Sequence, residues 1–361
     1  MIEAVTLENF RLFRHIEVGG LSPITLVGGQ NNVGKTSLLE ALFLFHDWLN
    51  PKMILRLHSW RQVGVVPLVP EHMWGPIFRG YDLKRPVTIT VGRDGTSEEM
   101  ILRFNPHPEV RSIPVQVGGE ISAAPQVRTE EITATYALEV ECHRGGETVH
   151  EAQLYTDATD PTPRVGLYVK HSRGLQHQVL YLGPRSQSGV QEDARRFGQL
   201  DLEGETQRVA DLLSLIEPRL QSLSAVPLGD LTLIHGDIGL GRKIPVAYMG
   251  DGMARLLSVI LAIATTPKGL VLIDEFENGI HHSAMARVWK GIAEAAKEFD
   301  CQVIATTHSY ECLQAAHEGL QGAAEDRFAY IRLDRDGEEI VPKQYSYEIL
   351  GAALEQGWEV R

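Results

Sequence analysis

The sequence predicts an α/β protein, with a mixed central sheet flanked by helices that carries a β-rich lobe and a helical insertion. Three observations lead there. Near both ends of the chain, short apolar runs stop at polar or charged residues and give way to helix-like stretches, at 24–44, 270–281 and 302–312. From Pro86 to about Gly183 the pattern changes to alternating apolar and polar runs, the period of half-buried strands. Between 190 and 225, Val209, Leu212, Leu213 and Ile216 fall at helical spacing until Pro218 breaks the pattern.

Residues 1–18 are strand-like and hold Glu3, Glu8, Arg11 and Arg14, a distribution unlike a signal peptide. The apolar run Ile24-Thr25-Leu26-Val27 then leads into Gly29-Gln30-Asn31-Asn32-Val33-Gly34-Lys35-Thr36, and Ser37 to Leu44 reads as a helix. This fits G-x-x-x-x-G-K-[ST] in the strand–loop–helix setting that gives the pattern its meaning. Loop N–H groups, with Gly29, Asn31, Asn32 and Gly34 shaping the turn and Ser37 at the helix start, would curl around phosphate oxygens at the positive end of the helix dipole. Lys35 would reach the β- and γ-phosphates of ATP, and the Thr36 hydroxyl would hold Mg²⁺. A merely structural turn requires neither a Lys nor a Thr at those positions.

Residues 51–85 contain Pro and Trp and show only short helical possibilities. Strands are expected at 87–91, 100–104, 133–140 and 179–182, with loops at 106–114 and 118–125. The helical segment at 190–225 is too short for the long coiled coil of structural-maintenance proteins. Leu231–Ile234 and Ile244–Tyr248 return the chain to the core. The expected division is therefore a split core of 1–50 and 229–361, with 51–228 inserted.

A second motif, Gly269-Leu270-Val271-Leu272-Ile273-Asp274-Glu275, is a buried-strand run ending in two carboxylates. Asp274 is placed to hold the Mg²⁺ shell and Glu275 to polarise the attacking water. Asp274 lies 239 residues after Lys35, a separation that disfavours ring-forming AAA+ motors, and no Asn-Lys-x-Asp run is present to read guanine. The strand expected at Gln302–Thr306 delivers Thr307-His308-Ser309, with Ser309 as helix N-cap. A lone His is commonly a core residue, but at this strand end His308 suits a γ-phosphate sensor. Upstream, Tyr248-Met249-Gly250-Asp251-Gly252-Met253-Ala254-Arg255 opens a helix. Gly250 and Gly252 would expose N–H groups there to the γ-phosphate bound by a second subunit.

Four motifs in this order resemble the ABC-class ATPases of the overcoming-lysogenization-defect (OLD) group. The likeness is carried by Leu7-Glu8-Asn9-Phe10-Arg11-Leu12-Phe13, by Gly34 to Leu42, by Asp274-Glu275-Phe276-Glu277-Asn278-Gly279-Ile280-His281 and by Thr306 to Cys312. It covers 1–50 and about 245–320, and the middle poorly. The chain departs from the group at Ile280 and at His282, where Leu and Pro are common. The resemblance implies an ABC-type core, a contribution of Arg11 to the nucleotide site, and two heads closing head-to-tail around two ATP molecules as a homodimer. It also implies the ATPase subunit of a prokaryotic defence or toxin-type system whose nuclease or other effector is a separate chain. Repair ATPases of the RecF type, clamps that bind DNA directly, are the alternative. A transporter subunit is disfavoured by the absence of Leu-Ser-Gly-Gly-Gln.

With 361 residues, 43% hydrophobic and 22% charged, the composition suits a cytoplasmic enzyme with a large core. Cys142, Cys301 and Cys312 suggest neither disulfides nor zinc. The longest apolar stretch, around Leu256–Ala264, is far short of the ~20 residues that span a bilayer. A net charge of −13 argues against indiscriminate nucleic-acid coating. Arg164, Lys170, Arg173, Arg185, Arg195 and Arg196 nonetheless form a locally basic stretch that is a candidate docking face for a partner or nucleic acid. Gln62 and Gln187 are both candidates for a metal-facing glutamine. Asp334-Arg335-Asp336 imitates a nuclease metal motif, but only 53 residues follow His308. A hairpin with Asp336-Gly337 at its positive-φ positions is the better reading.

Overall fold

The computed structural model describes residues 1–361 except 49, 51–52, 62–66, 68, 109–110, 117–126, 133, 158–163, 174–177, 184–188 and 323. The chain divides into two compact units: 1–4, 18–46 and 177–361, and 5–17 and 47–176.

The first unit is built on a six-stranded sheet. Its order is Val179–Leu182, Leu270–Ile273, Gln302–Thr306, Ile24–Gly29, Phe328–Asp336 and Glu339–Ser346. The first five strands run parallel and the last is antiparallel, so the sheet is mixed, as expected. The register aligns Leu182 with Ile273, Ile273 with Ala305, and Ala305 with Leu26. Three of these strands thus end within a residue of one row, level with Leu26 of the longer Ile24–Gly29 strand, and the loops leaving them open at one edge, where α/β sheets bind ligands. Every residue of Leu270–Ile273 and Gln302–Thr306 is buried, which is why Leu270–Ile273 and Val303–Ala305 are continuously apolar rather than alternating.

Helices cover this sheet. The P-loop helix Lys35–His46 is buried from Ser37 onward. Asp251–Ala264 and His282–Glu298 pack Leu257, Ile260, Val288 and Ile292 into the main core with Val271, Ile273 and Val303, each side chain contributing roughly 1.5–3 kcal/mol by leaving water. Phe276 stacks on Trp289 at 4.1 Å, anchoring the turn after Asp274. Ser309 caps Tyr310–Leu320 by accepting from the Cys312 N–H at 3.1 Å, as its sequence position predicts. His281 caps His282–Glu298. His282 therefore occupies the first helical position, where a Pro would also fit. Helices Gly189–Glu203 and Thr206–Ser214 and a small antiparallel sheet of Ser222–Leu228, Leu231–Asp237 and Ile244–Pro245 complete the unit with the C-terminal helix Tyr347–Glu355. Among the described residues no helix is long and apolar enough to cross a membrane.

The second unit carries a seven-stranded sheet. Arg164–Ser172, Glu147–Asp157, Ala134–Arg144, Thr96–Asn105 and Val87–Arg93 pair antiparallel in that order, followed by Ile2–Phe10 and Phe13–Val18. A separate pair, Arg111–Gln116 with Val127–Ile132, falls partly where the sequence pattern predicts a loop. Short helices at Met53–Trp60 and Pro70–Met73 match the short helical possibilities read from 51–85.

This division differs from the boundaries read in the sequence. Val179–Leu182, expected in the β lobe, hydrogen-bonds to Leu270–Ile273 in the parallel sheet. The helices at 189–214 likewise group with the P-loop unit, while 5–17 group with the β-rich unit. The hairpin at 328–346 is present with a two-residue loop, but only Gly337 takes a positive φ, 61°. Asp336 is instead the last paired residue, opposite Glu339.

Gly29 closes the P-loop strand with φ 128°, and a Cβ there would lie 2.4 Å from the Leu333 carbonyl oxygen. Gly29→Ala is expected to cost on the order of 3 kcal/mol from backbone strain plus overpacking. A lowered urea midpoint at unchanged m-value checks it; an unshifted midpoint contradicts it.

Candidate functional site

The loop between Gly29 and the helix starting at Lys35 is held by its own backbone. Gly34 adopts φ 96° and Asn32 φ 61°, conformations that aim successive N–H groups to one side. Val33 is buried, while Asn31 and Asn32 are exposed. Lys35 Nζ donates to the carbonyls of Gly29 at 2.7 Å and Gln30 at 2.9 Å. Burial lowers the pKa of this ammonium, opposed by the charges of Glu277, Asp274 and Glu275. The Asn32 carbonyl accepts from Arg335 Nη2 at 2.9 Å, a contact with no signal in the local sequence.

Thr36 and Asp274 meet across the sheet. The Thr36 hydroxyl lies 2.9 Å from Asp274 Oδ2 and 3.1 Å from Oδ1. Asp274, 4% exposed, also accepts from Tyr181 Oη at 3.0 Å and Thr306 Oγ1 at 2.6 Å. Three hydroxyl donors leave this buried carboxylate well solvated by protein, as burial of a charge requires. Sequence pattern does not single out Tyr181 or Thr306 for this role. Tyr181 sits 93 residues upstream of Asp274, and only the strand register brings them together.

Glu275 follows with φ 46°, a left-handed conformation that is uncommon outside Gly and Asn. Its N–H donates to Thr306 Oγ1 at 2.9 Å, and its Oε2 accepts from Asn278 Nδ2 at 2.6 Å. His308, beyond the end of Gln302–Thr306, is half-exposed, and both its N–H and its Nδ1 lie against Glu277 Oε1. The structure thus gathers Lys35, Thr36, Asp274, Glu275 and His308 at one edge of the sheet, with Ser37 buried behind the loop.

Gly250 is the N-cap of Asp251–Ala264, with φ 115°. Three residues past Gly252, Arg255 donates to the carbonyls of Gly183 at 3.3 Å and Asp274 at 3.4 Å, tying this helix to the end of the carboxylate strand. Arg11 belongs to the second unit; its N–H donates to the Ile77 carbonyl at 2.8 Å, and its guanidinium lies over the Phe10 ring. Gln62 and Gln187 lie outside the described residues.

One surface reading changes. Arg196 is 6% exposed and pairs with Asp193 at 3.3 Å and Glu192 at 3.1 Å, while Arg195 is bidentate to Glu192. Lys170 belongs to the second unit and pairs with Glu151 of that same unit, and Arg185 lies outside the described residues. The basic stretch is therefore divided between two units, and Lys170, Arg195 and Arg196 are each paired with a neighbouring carboxylate. Asp334 accepts from Arg332 at 2.6 Å and Lys343 at 2.7 Å, which fills the carboxylate with cationic partners as a hairpin residue rather than a metal ligand. No cluster of three or more His, Cys, Asp or Glu with metal-binding geometry occurs among the described residues, and all three cysteines are buried and free.

The donor set fits a magnesium nucleotide. A hydroxyl and a carboxylate already share a hydrogen bond where a hard cation takes oxygen ligands, and Lys35 is held by loop carbonyls that phosphate oxygens can replace.

Fold and site together define a P-loop ATPase of the AAA/ABC type. The chain belongs to the family described as "AAA domain, putative AbiEii toxin, Type IV TA system", which matches residues 24–313. It is similar to an ATP/GTP phosphatase of Helicobacter pylori, 24% identical with 97% of each chain covered. It also resembles an uncharacterized protein of Methanocaldococcus jannaschii, 31% identical over 28% of this chain and 87% of that protein. Among solved structures, an Smc head bound to the C-winged helix domain of ScpA superposes with a TM-score of 0.49 at 12% identity, over 98% of this chain and 99% of that one.

Proposed function

We propose that this chain hydrolyses ATP with Mg²⁺ as a head-to-tail homodimer, working in the cytoplasm as the ATPase subunit of a prokaryotic defence or toxin-type system with a separate nuclease or effector. The observation that carries the ATPase reading is the Thr36–Asp274 contact at 2.9 Å, between residues 238 apart. Lys35 and the loop N–H groups bind the β- and γ-phosphates. Thr36 and Asp274 would hold Mg²⁺, whose chemistry when bound would be to neutralise charge on the phosphate oxygens. Glu275 accepts the proton of the attacking water, and Asn278 orients it. His308 meets the γ-phosphate, and the helix start at Gly250 and Gly252 serves the partner's nucleotide. The test is phosphate release by the purified chain with and without Mg²⁺; no nucleotide-dependent release at any protein concentration overturns the reading.

The composite site has its own check. A Cβ at Gly252 would meet nothing closer than Ala284 and Ile280 methyl carbons at 3.9 Å, so the monomer accommodates a side chain there. Gly252→Asp is expected to abolish ATP-driven dimerisation, and with it most turnover, by placing a carboxylate against the partner's phosphates. ATP binding to the monomer should be unchanged. Full activity of this variant, or of a strict monomer, rules the arrangement out.

The family description, with its toxin and toxin–antitoxin terms, supports the defence setting and gives no support to a RecF-like clamp. The OLD-like kinship rests on the motifs alone. Because Asp334 is occupied by Arg332 and Lys343, the lone chain is expected to cut neither DNA nor RNA with Mg²⁺ or Mn²⁺. Cleavage that disappears in Asp334→Ala would overturn the separate-effector proposal.

A further inference from the structure

We infer that Glu277 is the positioning residue for His308, fixing which ring nitrogen carries hydrogen and which one meets the nucleotide. This deepens the ATPase reading and rests on it only for the consequence in catalysis. Glu277 Oε1 lies 2.8 Å from the backbone N of His308 and 2.9 Å from its Nδ1. The backbone N–H can only donate, so this oxygen is an acceptor there. Nδ1, sharing the same oxygen, is therefore the donor. One carboxylate oxygen thus holds the His308 main chain and ring together, removing both the ring flip and the alternative tautomer.

The surroundings of Glu277 suit this work. Its side chain is 8% exposed against 49% for His308, so the acceptor is fixed in the protein while the ring reaches the surface. Turn geometry fixes it further: the Phe276 N–H donates to the Thr306 carbonyl at 2.9 Å and the Ile280 N–H to the Glu277 carbonyl at 3.0 Å. Phe276 on Trp289 pins the residue immediately before it. The second oxygen, Oε2, is buried and has no hydrogen-bond partner among the described residues, which leaves the carboxylate with unspent negative charge. Burial lowers the pKa of Lys35, and the charge of Glu277 opposes that shift together with those of Asp274 and Glu275. Glu277 therefore sits electrically between the phosphate-binding lysine and the histidine at the end of the neighbouring strand.

The chemical consequence follows from imidazole. With hydrogen on Nδ1, a neutral ring offers only a lone pair at Nε2; it donates from Nε2 as the imidazolium alone. His308 can donate to a phosphate only in that form, and Glu277 is the counter-charge that form needs. A carboxylate that orients a functional histidine in this way changes activity by roughly 10–100-fold when removed, by analogy with carboxylates behind metal-bound histidines.

The test uses the full chain labelled with ¹⁵N-histidine, without nucleotide, in long-range ¹⁵N–¹H correlation spectra, with His308→Ala identifying the ring. Hydrogen on Nδ1 of His308 is expected in the wild type. Glu277→Ala should lose that signature, and Glu277→Gln should keep it, because the amide oxygen still accepts. In the same samples kcat should fall roughly 10–100-fold in Glu277→Ala with KM little changed, and Glu277→Gln, which keeps the acceptor but not the counter-charge, should share most of that loss. A wild-type ring bare at Nδ1, or a Glu277→Ala ring identical to wild type, overturns the assignment. If Glu277→Ala fails to fold, the wild-type and Glu277→Gln spectra still decide. A chain that shows the ring signature but hydrolyses no ATP defeats the proposed function and leaves the Glu277–His308 pairing standing.

Discussion

Glu275→Gln is expected to lower ATP turnover by on the order of 10²–10⁴-fold while ATP still binds, because an amide keeps the size and shape of the carboxylate and cannot accept a proton. The local geometry makes this a clean substitution. Asn278 Nδ2 donates to Glu275 Oε2 at 2.6 Å, and a Gln oxygen can accept the same bond. The backbone at φ 46° carries the same strain with either side chain, and the Glu275 N–H to Thr306 contact does not involve the side chain. The variant should therefore fold as the wild type does and accumulate an ATP-bound state, which a head-to-tail arrangement makes more dimeric by light scattering. Single-turnover phosphate release separates chemistry from product loss. A near-normal rate would remove Glu275 as the base and turn attention to the Glu277–His308 pair.

Lys35→Ala acts one step earlier and should abolish stable ATP·Mg²⁺ binding. Charge-assisted hydrogen bonds contribute about 1.5–3 kcal/mol each, so losing two to phosphate oxygens weakens binding by roughly 10²–10⁴-fold. The fold should survive. In the structure Lys35 Nζ donates to the Gly29 and Gln30 carbonyls, both in the loop it serves. Its ammonium is already disfavoured by burial, so its removal takes away a charge that the folded chain holds at a cost. Calorimetric titration with ATP checks the affinity, and a thermal melt checks the fold. Unchanged affinity in a folded variant sinks the P-loop assignment and every role that depends on it.

Lys35 and Glu275 are legible in the amino-acid sequence because their chemistry is written contiguously. A P-loop needs its glycines, lysine and hydroxyl within eight residues, and a strand ending in two carboxylates announces itself by its apolar run. Ser309 as a cap and the strands at 24–29, 270–273 and 302–306 follow from the same local rules. The β-rich unit is visible in outline. Its more polar strands at 147–157 and 164–172 do not separate from loops; the buried face of 147–157 mixes His150 and Thr156 with Ala152 and Leu154, so the apolar alternation fades. The basic stretch fails as a patch for a similar reason: counting charges along a chain does not reveal that Arg196 is buried on Asp193.

By itself the sequence determined the nucleotide-binding class, the P-loop and carboxylate-strand motifs proposed to bind and hydrolyse, and the presence of a second, β-rich body, all through short-range pattern. Tertiary structure alone decided the strand order, which inserts Gln302–Thr306 between the P-loop strand and the carboxylate strand. It also decided that Val179–Leu182 joins the parallel sheet and so delivers Tyr181 to Asp274, and that His308 is held by Glu277 rather than standing alone. The physical reason is the same in each case. A four-residue apolar run satisfies either sheet equally well, and the partner of a parallel strand is chosen by register and packing between segments that lie tens to hundreds of residues apart.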